Sequence, residues 1–288
     1  LLGQPPFKRA LIIGAGTGTD VAMALASGVH WVDAVEIDPE LYRLGRELHP
    51  EQLYDDPRVH IHIDDGRAFL RHSNGRYDLI IFALTDSMVL TSGYANLRLE
   101  SFLFTVESLA LARDHLTENG LLARYDYYRE DWSVRRVAGM LEDVFGGPPF
   151  VVTYGLSGRA ATLMAGPGLA ALDPALDHLY GPDPNYAPKT AGIVLPVIGI
   201  GRLTGDPEAL RATDDRPFFY LQGREIPGLY LAASTMVGVI ALTPLRFATP
   251  RGTLGRFAPD FFCLGGAFML LRREASWSSR SCSGPPGS

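Results

Sequence analysis

Five short, nearly continuous apolar runs, each followed by a helix-patterned stretch, restrict residues 10–165 to one kind of architecture. The runs are Ala10–Ile13, Trp31–Ile37, Val59–Ile63, Leu79–Phe82 and Gly120–Tyr125. A strand that is apolar along its whole length, without alternation, is one covered on both faces, as in a parallel sheet. Between and after the runs lie helical patterns over Asp20–Ser27, Glu40–Leu48, Arg67–Arg71, Phe102–His115 and Trp132–Phe145. That β-α-β-α order predicts an α/β doubly wound open sheet, with ligands held at the carboxyl ends of its strands.

The first strand runs straight into a glycine-rich turn, Leu11-Ile-Ile-Gly14-Ala-Gly16-Thr17-Gly18-Thr-Asp20. Glycines there permit positive φ and a close approach of backbone to ligand. Such a turn alone is weak, because it also serves simply to join strand to helix. Here Glu36 ends the next strand about twenty residues on, the spacing at which a carboxylate accepts from both ribose hydroxyls. The plain alternative for Glu36 is a solvated strand-end acid. A third element, Asp64-Asp65-Gly66-Arg67, follows the third strand, where a carboxylate can meet an adenine amino group; alone, Asp-Gly is most often just a turn. In register, the three predict one nucleoside pocket.

Charge and composition narrow the partners. The net charge of −6 and the absence of basic clusters argue against nucleic acid, whose phosphates need grouped lysines and arginines. Only Lys8 and Lys189 are lysines among 26 basic residues. The two cysteines, Cys263 and Cys282, make neither a disulfide framework nor a zinc site. His60 and His62 share a strand face but lack a third ligand, so no metal is expected.

Beyond the predicted sheet the pattern weakens. Residues 166–226 are rich in proline and glycine and read as an irregular extension, with one short helix near Pro174–Tyr180. Ala191–Gly201 is too short to span a bilayer and reads as buried strand or helix. Gly228–Leu245 contains 18 residues without a charge, and Phe257–Leu271 is interrupted only by Asp260. Together they predict a transmembrane helical hairpin over 227–271, the alternative being a buried hairpin; residues 272–288 read as a disordered tail. Arg246, Arg251 and Arg256 between the two runs favour a cytoplasmic loop, and a nucleoside-using domain is also expected in the cytoplasm. One crossing cannot satisfy both, and the substrate argument takes precedence. The chain opens on Leu1 without Met or a signal peptide and reads as part of a longer protein.

These motifs carry a resemblance. The glycine turn, Val35-Glu36-Ile37-Asp38, Asp56-Pro57-Arg58-Val59, Asp65-Gly66-Arg67-Ala-Phe69-Leu70 and Tyr77-Asp-Leu-Ile-Ile resemble the Rossmann-like class I S-adenosylmethionine-dependent methyltransferase fold. More narrowly they are similar to spermidine synthases, the polyamine aminopropyltransferases. Thr213-Asp-Asp-Arg-Pro217-Phe-Phe-Tyr-Leu221 and Phe261–Leu271 resemble a membrane-fused branch of that family. The resemblance implies that Gly14, Gly16, Thr17, Gly18, Glu36, Asp65 and Gly66 bind S-adenosylmethionine or its decarboxylated form as co-substrate. It implies a small-molecule acceptor such as a polyamine, and a membrane location with the nucleoside domain in the cytoplasm.

Two family acids are replaced. An Asp inside the glycine turn has become Thr17, and the first Asp of the Asp-Ser-x-Asp pattern after the fourth strand has become Ala83, while Asp86 remains. Loss of a general base costs about 10²–10⁴-fold, so Asp86 becomes the expected catalytic or acceptor-orienting residue, against a turn or capping role. Tyr94, Glu100 and the strand-end residues Tyr125, Asp126, Tyr127 and Tyr128 are weaker acceptor candidates. Three functions stay open on these residues: aminopropyl transfer, methyl transfer on the same scaffold, and a nucleoside-binding domain that no longer catalyses.

Overall fold

The computed structural model describes residues 7–83, 102–128, 130–154, 160–171, 197–220, 222–223, 228, 231–233 and 235–240. Strands β1 (Arg9–Ile13), β2 (Trp31–Glu36), β3 (Val59–Ile63), β4 (Tyr77–Ala83) and β5 (Leu116–Tyr127) alternate with helices α1 (Thr19–Ala26), α2 (Pro39–Leu48), α3 (Gly66–His72) and α4 (Val106–Asp114). Helix α5 (Asp131–Phe145) then leads to β6 (Phe150–Tyr154), β7 (Ala160–Ala165) and β8 (Val197–Arg202). All eight strands lie in one sheet, ordered β3-β2-β1-β4-β5-β7-β6-β8. The first five in that order are parallel, whereas β7 is antiparallel to β5 and β6, and β8 is antiparallel to β6. The result is a mixed sheet in which the chain, after β3, crosses back past β2 and β1 to β4.

The two-sided burial inferred from the apolar runs has a direct counterpart in β1. Leu11 and Ile13 enter one cluster with residues of α3, α4 and α5, while Ala10 and Ile12 enter another with Val21 and Ala24 of α1 and Leu53 and Tyr54. Each fully buried isoleucine contributes roughly 1.5–3 kcal/mol. The helix expected over Phe102–His115 is interrupted: Phe102 and Leu103 are helical, and α4 begins at Val106, because Thr105 adopts an extended backbone and its hydroxyl accepts from the Ser108 amide at 3.3 Å, capping α4.

The described part of the extension carries regular elements. Its apolar run supplies β8, and Pro167–Ala171 form a 3-10 turn. The helix expected at Pro174–Tyr180 lies outside the described residues. Residues 213–220 and 222 are fastened to α3, β5 and α5 by three arginines. Arg67, from the Asp-Gly-Arg motif, makes a two-pronged ion pair with Asp214, which also accepts from Thr105 at 2.8 Å. The Arg124 guanidinium lies over both the Phe104 and Phe219 rings, at 4.2 and 4.7 Å. Arg136 donates to the carbonyls of Phe219 and Gln222. A planar, always-charged guanidinium suits such buried bidentate and stacked positions, and lysine does not.

Leu1–Arg224 form one compact unit and Glu225–Ser288 a second. Within the second, the described residues 231–233 and 235–240 are helical, and Leu231, Met236, Val237, Val239 and Ile240 are more than half exposed. Among the described residues no helix is long and apolar enough to cross a membrane. The run 257–271, and 241–245 at the end of the first run, lie outside them.

Asp33 is a buried acid in the middle of β2, 5% exposed. It accepts from His62 at 2.9 Å, Trp31 at 2.9 Å, Tyr77 at 3.0 Å and Arg9 at 3.2 Å, while His60 stacks on Trp31. The paired histidines are thus structural, and among the described residues there is no group of metal ligands. Burial alone would raise the Asp33 pKa, but the four donors outweigh it and hold the carboxyl below its usual range. Its ionised form therefore contributes stability above the unfolded value of about 3.9, and that contribution is lost as pH falls through the lower folded value. Asp33→Asn is expected to cost about 1–3 kcal/mol at neutral pH in urea unfolding. Because it removes the titrating group, the variant should also lose less stability than the parent on acidification below that pH. Parallel acid limbs for the two proteins would contradict this role.

Candidate functional site

The glycine turn leaves β1 and opens α1 with Gly14, Gly16 and Gly18 at φ of 81°, 55° and 102°. Gly18 is the cap of α1 and has no room for a side chain: a Cβ there would stand 2.6 Å from Leu53 Cδ1. The amides of Gly14 and Ala15 donate to the Val35 carbonyl at 2.9 and 3.0 Å, drawing the turn onto the end of β2. From the other side the Tyr54 hydroxyl donates to the Gly16 carbonyl at 2.7 Å, and burial pushes its pKa up, so it remains a donor. Thr17 is exposed at the tip of the turn.

Glu36 is 4% exposed, so it is not a solvated strand-end acid. One of its carboxylate oxygens accepts from the Gly16 amide at 2.7 Å and the other from the Asp38 amide at 2.9 Å. A carboxylate offers about four acceptor positions. One backbone donor on each oxygen leaves one position free on each, the pattern that two vicinal hydroxyls require.

The third element closes on the same strand ends. The Asp64 amide donates to the Glu36 carbonyl at 3.1 Å. Asp65 caps α3, accepting from the Ala68 amide at 2.9 Å, so one of its oxygens already has a structural task. Gly66 stands against β1, where a Cβ would lie 2.3 Å from Ile13 Cγ2. Gly14, Gly16, Thr17, Gly18, Glu36, Asp65 and Gly66 thus all fall at the carboxyl ends of β1, β2 and β3.

The expected catalytic side is described only in part. Ala83 ends β4, buried and paired in register with Tyr125 of β5. Asp86, Tyr94 and Glu100 lie outside the described residues. Asp126 is buried beside Arg124, Tyr128 is buried and Tyr127 is 45% exposed. Sequence reading did not single out Asp20, in the first turn of α1, whose carboxylate accepts from the Tyr125 hydroxyl at 2.6 Å. Burial raises the Asp20 pKa, and the tyrosine hydrogen bond offsets part of that rise. The two residues are far apart in sequence, and only the position of Asp20 just past the glycine turn signalled it. Tyr54 likewise carried no sequence signal.

The family model described as spermine/spermidine synthase domain matches residues 1–126. A polyamine aminopropyltransferase from Hamiltonella defensa is 40% identical over 90 residues, 30% of this chain and 31% of that protein. One from Alkaliphilus oremlandii is 35% identical over 122 residues, 41% of this chain and 40% of that protein. The matched stretch therefore spans less than half the length of these curated relatives. A crystal structure of spermidine synthase from Thermotoga maritima aligns with a TM-score of 0.44 and 24% identity, covering 59% of this chain and 57% of that one.

Glu36 is tied into the turn before any ligand arrives, which changes what its removal does. A glutamine offers one acceptor oxygen and one donor amide, so either the Gly16 or the Asp38 amide would lose the acceptor of its part-buried N–H. Glu36→Gln is expected to lower stability by about 1–3 kcal/mol in the absence of ligand, measured by urea unfolding. Unchanged stability would show that the two backbone bonds do not hold the turn.

Proposed function

We propose that the amino-terminal domain binds an adenosyl sulfonium nucleoside, S-adenosylmethionine or its decarboxylated form, and transfers a carbon group from its sulfur to a small amine, as an aminopropyltransferase does. The observation that carries this reading is the buried Glu36 carboxylate, with one backbone donor on each oxygen and one acceptor position left on each. The glycine turn and Gly66 add backbone without side chains where a nucleoside would lie. The relatives named polyamine aminopropyltransferase support the transferase class over the matched stretch.

In this reading the residues of the chain bind and orient. Glu36 holds the ribose, Asp65 uses the oxygen not engaged in capping α3, and the glycine turn lets the nucleoside approach β1. The sulfonium supplies the leaving group, so no further electrophilic activation is needed. The protein's contribution is to hold an amine in line behind the reacting carbon and to remove its proton. Asp86 remains the proposed orienting residue from the segment after β4.

Methyl transfer is the second reading, and the particular observation in its favour is Thr17. A neutral, exposed residue at the tip of the turn does not penalise the carboxylate that decarboxylation would remove. Titrating the protein calorimetrically with both nucleosides separates the two. Preference for the decarboxylated form, with turnover on putrescine, supports aminopropyl transfer; preference for S-adenosylmethionine, with methylated product, overturns it. Because Thr17 is exposed, Thr17→Asp should fold normally and raise the affinity ratio of decarboxylated to intact nucleoside by about three- to tenfold. Ala83→Asp is the poorer test, because it would bury a carboxylate.

We also propose that residues 227–271 attach the protein to a membrane. The exposed apolar residues over 231–240 support this, as does the charge-free run through Leu245. Expressed protein is expected to stay with membranes after a carbonate wash; recovery as a monodisperse soluble species would refute the attachment.

A further inference from the structure

Ala83 and Tyr125 are register partners on the parallel neighbours β4 and β5, so their side chains emerge on the same face of the sheet. Both pack in one apolar cluster with Ala15 of the glycine turn. In the sheet, β4 separates β5 from β1, and α1 follows β1. The Tyr125 ring therefore reaches past position 83 to donate its hydrogen to Asp20 Oδ2 at 2.6 Å. An alanine at 83 leaves that path open, whereas a longer side chain on the same face would compete for it.

The carboxylate so held has an unusual balance of partners. Asp20 is half-buried, and Tyr125 is its one hydrogen-bond donor among the described residues. No lysine, arginine or histidine among them pairs with it. Its titratable neighbours are tyrosines: Tyr125 from β5, with Tyr54 in electrostatic reach, and burial pushes both phenols up so that they stay neutral. A half-buried carboxylate without a cation is costly unless one arrives with a ligand or the group takes up a proton. The amino-terminal end of α1 offsets part of the cost by favouring negative charge in its first turn. Oδ1 is left to accept.

We propose that Asp20, aimed by Tyr125, is the carboxylate that receives the amine of the acceptor and takes its proton, in place of the acid that Ala83 no longer supplies. The inference rests on the reading of the site as an adenosyl sulfonium transferase. The neutral amine attacks the carbon beside the sulfonium sulfur, a C–N bond forms, and the C–S bond breaks with its electron pair going to sulfur. The nucleoside leaves as a neutral thioether. The proton left on the new ammonium passes to Asp20 and then to water. Tyr125 acts as a positioning residue: its neutral hydroxyl orients Oδ2 and leaves Oδ1 toward the amine.

5′-Methylthioadenosine, which carries no amine, and putrescine, which carries no nucleoside, separate this inference from the reading beneath it. With the site saturated by the thioether, Asp20→Asn is expected to weaken putrescine binding by about 10- to 100-fold while changing thioether affinity by less than about twofold. Tyr125→Phe removes a donor from the carboxylate and so raises its pKa further. Putrescine binding, which needs Asp20 ionised, should then fail at higher pH in that variant than in the parent, and a merely structural tyrosine would not shift this limb. Unchanged putrescine binding in Asp20→Asn with thioether binding intact would overturn the role of Asp20 alone. If the parent protein binds no thioether, the transferase reading fails and this inference with it.

Discussion

The buried carboxylate of Glu36 is the constraint on which the ligand end of the sheet depends. It sits at the end of β2, and its two oxygens take up the Gly16 and Asp38 amides. The first bond fixes the glycine turn, and with it the start of α1. The second fixes the start of α2, where Asp38 accepts from the Glu40 amide and Pro39 presets the first turn. One side chain therefore sets two helix origins. Without it, the Gly16 and Asp38 amides would both lose their acceptor. The turn is built around a negative charge, and that arrangement suits a ligand edge presenting hydroxyl donors.

The same economy of charge holds far from the site. Asp33 gathers four donors in the middle of β2, and Arg67, Arg124 and Arg136 fasten residues 213–220 and 222 to α3, β5 and α5. The acids in these ties, Asp33 and Asp214, each meet a cation from within the chain. Asp20 differs in having a donor but, among the described residues, no cation, and it lies in the first turn of α1, just past the glycine turn. That contrast separates a carboxylate that holds the fold together from one that can be spared for a substrate.

Much of this was legible in the sequence because burial on both faces leaves a continuous apolar run. The runs at Ala10–Ile13 and Trp31–Ile37 mark β1 and β2 closely, and the glycine turn and Glu36 fall where their spacing places them. The far side of the sheet was harder to read. The entry to β5, Thr117-Glu-Asn119, is polar because it lies partly exposed at the strand's start, so the run appeared to begin at Gly120. The segment of β7 is alanine-rich, the apolar run that supplies β8 does not by itself separate strand from helix, and antiparallel pairing leaves no βαβ rhythm to follow. Within the site, Asp65 was read only as a ligand residue although it also caps α3. The Asp20–Tyr125 pair was invisible because nothing in sequence links a residue of α1 to one of β5; only the order of strands brings them together.

The central claim is that an adenosyl nucleoside seats at the carboxyl ends of β1, β2 and β3. Amide chemical shifts recorded by NMR during a titration with 5′-methylthioadenosine test it most directly. Shifts concentrated at Gly14–Gly18, Glu36–Asp38 and Asp64–Gly66, with the amides of β6 and β8 unmoved, are the expected result. Saturable binding whose shifts fall elsewhere, or no shift at ligand concentrations well above millimolar, would contradict the account.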